Sequence, residues 1–167
     1  ALAARPEGMP KTSDFQIVDI ESNDPADGEI QVKNICMSVD PYMRGRMVDR
    51  KSYVPPFQIG EPLTGGAIGK VIKSAHPDFK EGDFVSSHWG WRDGFTARAE
   101  GIERLGEIVA PASEYLGAIG MPGMTAYAGL LEVGALKDGE TVFVSGAAGA
   151  VGSIVGQIAK LKNCHVI

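Results

Sequence analysis

The sequence predicts an α/β chain in two parts: an antiparallel, barrel-like β domain over residues 1–120, then, over residues 121–167, the start of a doubly wound parallel sheet. Three observations carry that reading. Short β-type runs separated by Pro, Gly and Asp fill the first part of the chain. Near Ala112 the sequence changes to longer apolar stretches rich in Ala, Met and Leu. A glycine-rich turn then stands between a run of strand length and a run of helical spacing.

The elements come in order along the chain. Residues 15–20, 29–36 and 66–72 read as strands; in the second, Ile30 and Val32 alternate with Glu29, Gln31 and Lys33, the period of two expected of a half-buried strand. A strand at 83–87 follows the turn Lys80-Glu81-Gly82-Asp83, and residues 94–99 and 107–109 continue the pattern, so the first domain is expected to be all β. Beyond Ala112, the residues Leu116, Ile119, Leu130, Leu131 and Val133 fall in stretches that read as helices. Residues 141–145 form a continuous apolar run of strand length. After the turn, Ile154, Ile158 and Leu161 recur at helical spacing, and His165, Val166 and Ile167 open another strand. The second domain is therefore expected to be only begun within these residues.

Composition narrows the function classes. With 44% hydrophobic and 22% charged residues and a mean hydropathy of −0.03, the 167-residue chain falls in the globular range and needs no staples to bury a core. Its net charge of −5 is spread along the chain, and no Lys/Arg block with interleaved aromatics offers a nucleic-acid face. No run reaches bilayer length and the first residues lack the order of a secretory signal, so neither a membrane nor export is expected and the location is read as cytoplasmic. Cys36 and Cys164 are far apart, which points to two small buried hydrophobes rather than a disulfide or a zinc site.

The turn Ser145-Gly146-Ala147-Ala148-Gly149-Ala150-Val151-Gly152-Ser153 has the strand-before, helix-after context of a dinucleotide-binding turn. A position without a side chain lets the backbone approach a diphosphate, and a helix start presents unpaired N–H groups and the positive end of its dipole. Gly149 is the close-approach candidate, Gly152 the residue that lets helix and strand pack, and Ala150, Val151 and Ser153 complete the candidate cofactor site. Ala147 stands where the first glycine of G-x-G-x-x-G usually stands. The other reading of the turn is a glycine turn that merely closes a βα unit. The residue that would choose between NAD and NADP belongs about 20 residues past the glycines, at the end of this sequence.

Three segments carry a more specific likeness: Ser38-Val39-Asp40-Pro41-Tyr42-Met43-Arg44-Gly45-Arg46-Met47, Met121-Pro122-Gly123-Met124-Thr125-Ala126-Tyr127, and residues 146–161 ending in Val155-Gly156-Gln157-Ile158-Ala159-Lys160-Leu161. Together they resemble the zinc-independent medium-chain dehydrogenase/reductase family of leukotriene B4 dehydrogenases, prostaglandin reductases and 2-alkenal reductases, above all its bacterial curcumin-reductase-like members. The resemblance implies a GroES-like β domain followed by a Rossmann domain, NADPH as cofactor, and reduction of a carbon-carbon double bond conjugated to a carbonyl. It also implies a longer, homodimeric parent enzyme, of which this chain would be an N-terminal fragment, inactive alone.

Zinc-dependent relatives carry a Cys-Gly-x-Asp site and a Gly-His-Glu step; here the corresponding stretches read Cys36-Met37-Ser38-Val39-Asp40 and Gly60-Glu61-Pro62, so no metal ligand is assigned. His76, His88 and His165 fall at no ligand spacing. By resemblance Tyr42 lines the substrate site, where its phenol could donate a hydrogen bond to the carbonyl of an enone or alkenal. Its alternative is a short helix started by Asp40 and Pro41, with Tyr42 packed on the core. Met124 and Thr125 are placed beside the nicotinamide by the same resemblance, against interdomain packing for the first and helix capping for the second. No catalytic residue is assigned, because the family's catalytic-site tyrosine comes from its C-terminal half. Quinone reduction within the same superfamily is the rival activity, and a non-catalytic fragment the rival of another kind.

Overall fold

The computed structural model describes residues 1–167, which form two compact units, Ala1–Val109 and Ala110–Ile167. Residues 110–120, which the sequence reading gives to the β domain, fall in the second unit. A 3-10 turn at Ala112–Leu116 ties them to the helix that begins at Met121: Ile119 N–H donates to Glu114 O at 2.8 Å and Gly123 N–H to Gly117 O at 3.1 Å.

The first unit is built on five antiparallel strands, β1 (Glu29–Met37), β2 (Ala67–Ser74), β3 (Phe84–Ser87), β4 (Gly94–Arg98) and β5 (Glu103–Arg104), in the order β4-β1-β2-β3-β5. Its edge strands β4 and β5 are neighbours in the chain, joined through a turn in which Ile102 N–H donates to Ala99 O at 3.1 Å. A flat five-stranded sheet would hold its edges about 19 Å apart, whereas such a turn spans no more than roughly 15 Å between flanking residues. The sheet therefore curls into the expected barrel-like form. Ile30, Val32, Val71, Val85, Phe95 and Ile102 fill its interior.

Two expected strands differ. Of residues 15–20 only Phe15 pairs, in an isolated bridge with Leu2, and Ile17 is fully exposed. A short apolar run alone does not make a strand: β1, which these residues lie against, is already paired on both sides, with β2 and β4. The neighbouring residues instead cover β1 from one face, where the buried Gln31 Nε2 donates to Ser22 Oγ at 2.9 Å and to Asn23 O at 3.3 Å. At 107–109 no strand forms, since the pairing with β3 falls earlier, at Glu103–Arg104, and Gly106 at φ +69° turns the chain away.

A second cluster of Leu2, Met43, Met47, Phe57 and Leu63 seats the short helix α1 (Tyr42–Arg46). Met43 and Met47, four residues apart, face this cluster, which leaves Tyr42 and Arg46, at the same spacing, on another side.

In the second unit, α2 (Met121–Tyr127) runs into a π-helical turn at Ala128–Val133 and packs on α3 (Ala150–Leu161). Flanking α3, β6 (Thr141–Val142) and β7 (His165–Val166) pair in parallel, a βαβ arrangement. The end of α3 is set by Asn163 at φ +55°: its N–H donates to Lys160 O and Cys164 N–H to Ala159 O, both at 3.0 Å, which is a Schellman ending. The expected strand at 141–145 is reduced to two residues by having one short neighbour, and Phe143 remains 75% exposed. No helix is long and apolar enough to cross a membrane.

Candidate functional site

The first unit holds a cavity of about 490 Å³ beside α1, lined among others by Tyr42, Arg44, Arg46, Arg50, Tyr53 and Pro56. Tyr42 opens α1 with 38% of its surface exposed, so it is not a core residue. Asp40 does not cap the helix with its side chain, as the alternative reading of this motif would have it: its carboxylate accepts the Ser38 hydroxyl at 2.6 Å, and only its backbone carbonyl takes a helical N–H, from Met43. Burial is the main cause that raises the Tyr42 phenol above its ordinary pKa, with the Asp40 charge next; Arg46 opposes both by its charge and by hydrogen bonding, and Tyr53 adds a small upward push. The phenol thus keeps its proton to higher pH than a free tyrosine and remains a hydrogen-bond donor.

The arginines around it differ in their ties. Arg44 Nη2 donates to Gly8 O at 2.6 Å. Arg46 Nε donates to Pro55 O and its Nη1 to Thr64 Oγ1, both at 2.9 Å. Sequence reasoning passes over Arg46, although its place four residues after Tyr42 is the signal that puts the two on one helix face. Tyr53 and Pro56, from the stiff apolar loop of residues 53–57, bring ring surface to this cavity.

A wider groove of about 840 Å³ runs between residues 15–20 and the sheet, with Gln31, Trp91 and Arg92 in its wall. Its polar groups largely serve the fold. Besides the Gln31 bonds to Ser22 and Asn23, Arg92 donates to Leu63 O at 3.0 Å and Gly90 O at 3.2 Å. Trp91 is held at φ +60°, and Asn34 Nδ2 fastens its loop by donating to Trp89 O at 2.8 Å and to Arg92 O at 2.9 Å.

In the second unit the glycine turn leads directly into α3, with Gly149 as the flanking residue. Gly146 takes φ +67°, so the left-handed position that a first turn glycine supplies falls one residue before Ala147. A Cβ on Gly152 would lie 2.5 Å from Gly146 O and 3.0 Å from Ala147 Cα; its closeness is to the turn, not to the strand. A Cβ on Gly149 would meet only Gly146 O, at 3.1 Å, and would otherwise fill open space in front of the helix. The Gly149 N–H is taken by Gly146 O at 2.8 Å and the Ser153 N–H by Gly149 O at 3.0 Å. The N–H groups of Ala150, Val151 and Gly152 lie ahead of the first intrahelical bond and have no partner within the helix. Such a set of donors, together with the dipole of a three-turn helix, suits a phosphate group.

Met124 and Thr125 sit on α2, within the helix rather than at its start, and Met124 is 66% exposed. The Thr125 hydroxyl donates to Met121 O at 2.7 Å, a bond back along the helix rather than the helix cap of the alternative reading. The structure brings Gly149, Ala150, Val151, Gly152 and Ser153 together on one turn and sets Met124 and Thr125 on the helix packed against α3; Tyr42 belongs to the first unit.

No three His, Cys, Asp or Glu side chains gather where they could hold a metal ion. His76 Nδ1 accepts Asp78 N–H at 3.2 Å and its ring meets Phe79 edge-on, a structural role. Cys164 is buried as expected, whereas Cys36 is only half-buried; burial still pushes its thiol pKa up.

Comparison with known proteins supplies the lineage. Residues 1–105 match the family model described as the N-terminal domain of oxidoreductase. The NADPH-dependent curcumin reductase of Escherichia coli is 43% identical over 166 residues, covering 99% of this chain and 48% of that enzyme. The NADP-dependent 2-alkenal reductase of Nicotiana tabacum is 46% identical over 167 residues, covering 96% of this chain and 48% of that enzyme. Among solved structures, CurA of Vibrio vulnificus in complex with NADPH superposes with a TM-score of 0.88 at 44% identity, over 99% of this chain and 49% of that one. The chain thus spans about half the length of the relatives it matches. Its curled sheet is a GroES-like domain, and its βαβ segment is the beginning of a Rossmann domain. By its sequence and its fold the chain belongs to the zinc-independent medium-chain dehydrogenase/reductase family of oxidoreductases.

Proposed function

We propose that the protein serves NADPH-dependent reduction of the carbon-carbon double bond of α,β-unsaturated aldehydes and ketones. The observation that carries this reading is the start of α3, where three neighbouring N–H groups without helical partners follow a turn that leaves Gly149 bare. The relatives named as a curcumin reductase and a 2-alkenal reductase support the substrate class, and the CurA complex supports the cofactor.

In this reading Ala150, Val151 and Gly152 hold the diphosphate through their N–H groups, Gly149 admits it, and the Ser153 hydroxyl lies on the same turn. Met124 and Thr125 flank the nicotinamide end. NADPH, once bound, supplies a hydride for the β-carbon of the conjugated carbonyl compound. Tyr42 donates its phenolic proton in a hydrogen bond to the carbonyl oxygen, where negative charge grows as the double bond is reduced. Like any phenol it is protonated at neutral pH, and its raised pKa carries that donor further into the alkaline range. A small apolar enone or alkenal fits the largely apolar walls supplied by Val48, Tyr53, Val54 and Pro56. A cytoplasmic, homodimeric enzyme completes the proposal.

The test is steady-state NADPH oxidation by the enzyme at the length of its relatives. Turnover is expected with 2-alkenals and curcumin-like enones, and Tyr42→Phe is expected to lower kcat/KM by roughly tenfold or more, the size of a lost charge-stabilising hydrogen bond. Rapid oxidation with quinones and none with enones overturns the proposal in favour of quinone reduction.

A further inference from the structure

Arg46 is a half-buried arginine with no carboxylate partner. Its contacts run instead to the walls of the α1 cavity. Nε reaches Pro55 O and Nη1 reaches Thr64 Oγ1, each at 2.9 Å. The guanidinium lies 4.0 Å from the centre of the Phe57 ring, and the Arg46 carbonyl accepts Phe57 N–H at 2.8 Å. One residue thus binds both ends of the Pro55-Pro56-Phe57 segment. On the helix side it stands one turn from Tyr42, beside the phenol.

We propose that Arg46 is a positioning residue for the α1 cavity, a clamp that fixes the Tyr42 phenol and the 55–57 segment against each other. The proposal rests on the reading that Tyr42 contacts the substrate. The chemistry requires arginine. Only a planar fork can direct Nε to one carbonyl, Nη1 to a hydroxyl and its face to an aromatic ring while leaving donors for a phenol; a lysine ammonium carries the charge without the fork. The guanidinium charge near the phenol also favours polarisation of its O–H bond, which strengthens the hydrogen bond that Tyr42 gives.

The phenol is faced by Asp40, Tyr53 and Arg46, and Arg44 and Arg50 line the same cavity. Of the groups that act on it, Arg46 is the one that favours its ionised form. Loss of Arg46 therefore moves the Tyr42 titration to higher pH.

Both readouts can be taken on this 167-residue chain without turnover. With tyrosines labelled at 13Cζ and Tyr42 assigned through Tyr42→Phe, Arg46→Gln is expected to shift the Tyr42 midpoint upward and Arg46→Lys to shift it less, while Tyr115 and Tyr127 stay in place. Exchange of the Phe57 amide is expected to quicken by about tenfold in both variants, as for loss of one charged hydrogen bond. A merely structural arginine would lower the melting temperature and leave the Tyr42 midpoint where it was. An unmoved midpoint in Arg46→Gln, or unchanged Phe57 exchange in either variant, overturns the clamp. Should Arg46→Gln fail to fold, Arg46→Lys decides on the same two readouts. Failure here is separate from failure of the reduction reading, which the enone kinetics of Tyr42→Phe decide.

Discussion

Gly149 and Gly152 stand three residues apart in one turn and answer to different demands. At Gly152 a methyl group would press on backbone at 2.5 Å, from Gly146 O, and backbone cannot swing aside as a side-chain end can. Gly152→Ala is therefore expected to destabilise the chain by about 1–3 kcal/mol, as overpacking does. At Gly149 the φ of −78° suits any residue and the single close atom is Gly146 O at 3.1 Å, so Gly149→Ala is expected to cost less than about 1 kcal/mol. Its methyl group would instead fill the open space through which the proposed diphosphate approaches. Thermal melts of the two variants, read beside NADPH affinity in the full-length enzyme, separate the roles. A large loss of stability in Gly149→Ala, or a stable Gly152→Ala, contradicts this assignment.

At the scale of elements, the sequence was informative where period and partner agree. Ile30 and Val32 point inward on β1 as their alternation requires, and the strand-turn-helix order around Gly149 appears where the glycines place it. Residues 15–20 show the limit: Phe15, Ile17, Val18 and Ile20 make a β-type apolar run, yet whether a strand forms depends on a partner strand, which no local pattern encodes. The candidate site was half legible for a similar reason. Tyr42 came from resemblance, but its cavity depends on contacts from residues 53–57 and 64 that only the fold assembles. The loop around Trp91 is another long-range assembly, pinned by Asn34 from β1. Asn34→Asp replaces a donor to two carbonyls with a negatively charged acceptor, and it is expected to destabilise the first unit by about 2–4 kcal/mol, more than Asn34→Ala at about 1–3 kcal/mol. Urea unfolding followed by tryptophan fluorescence checks the order; negligible losses in both variants would mean that the loop does not depend on those bonds, and equal losses that the buried charge adds nothing.

At the scale of the whole molecule, the two units differ in how much apolar surface they hide. The first packs two clusters of buried aliphatic and aromatic side chains, whereas the buried hydrophobic side chains of the second are Ala126, Ala159 and Cys164, with Phe143, Val133 and Leu161 all at least 75% exposed. The turn proposed to bind phosphate sits on that lightly packed unit. Its dipole is worth about 0.3–1 kcal/mol to an anion at an exposed site, and each hydrogen bond to a charged phosphate contributes roughly 1.5–3 kcal/mol. With three N–H groups this amounts to about 5–10 kcal/mol against an association cost of about 4–15 kcal/mol, so that near the middle of both ranges the two cancel. The isolated 167-residue chain is therefore expected to bind NADPH no tighter than the millimolar range. Titration followed through the fluorescence of Trp89 and Trp91 tests this; a micromolar dissociation constant would show that residues of these two units beyond the turn already supply most of the cofactor's binding energy.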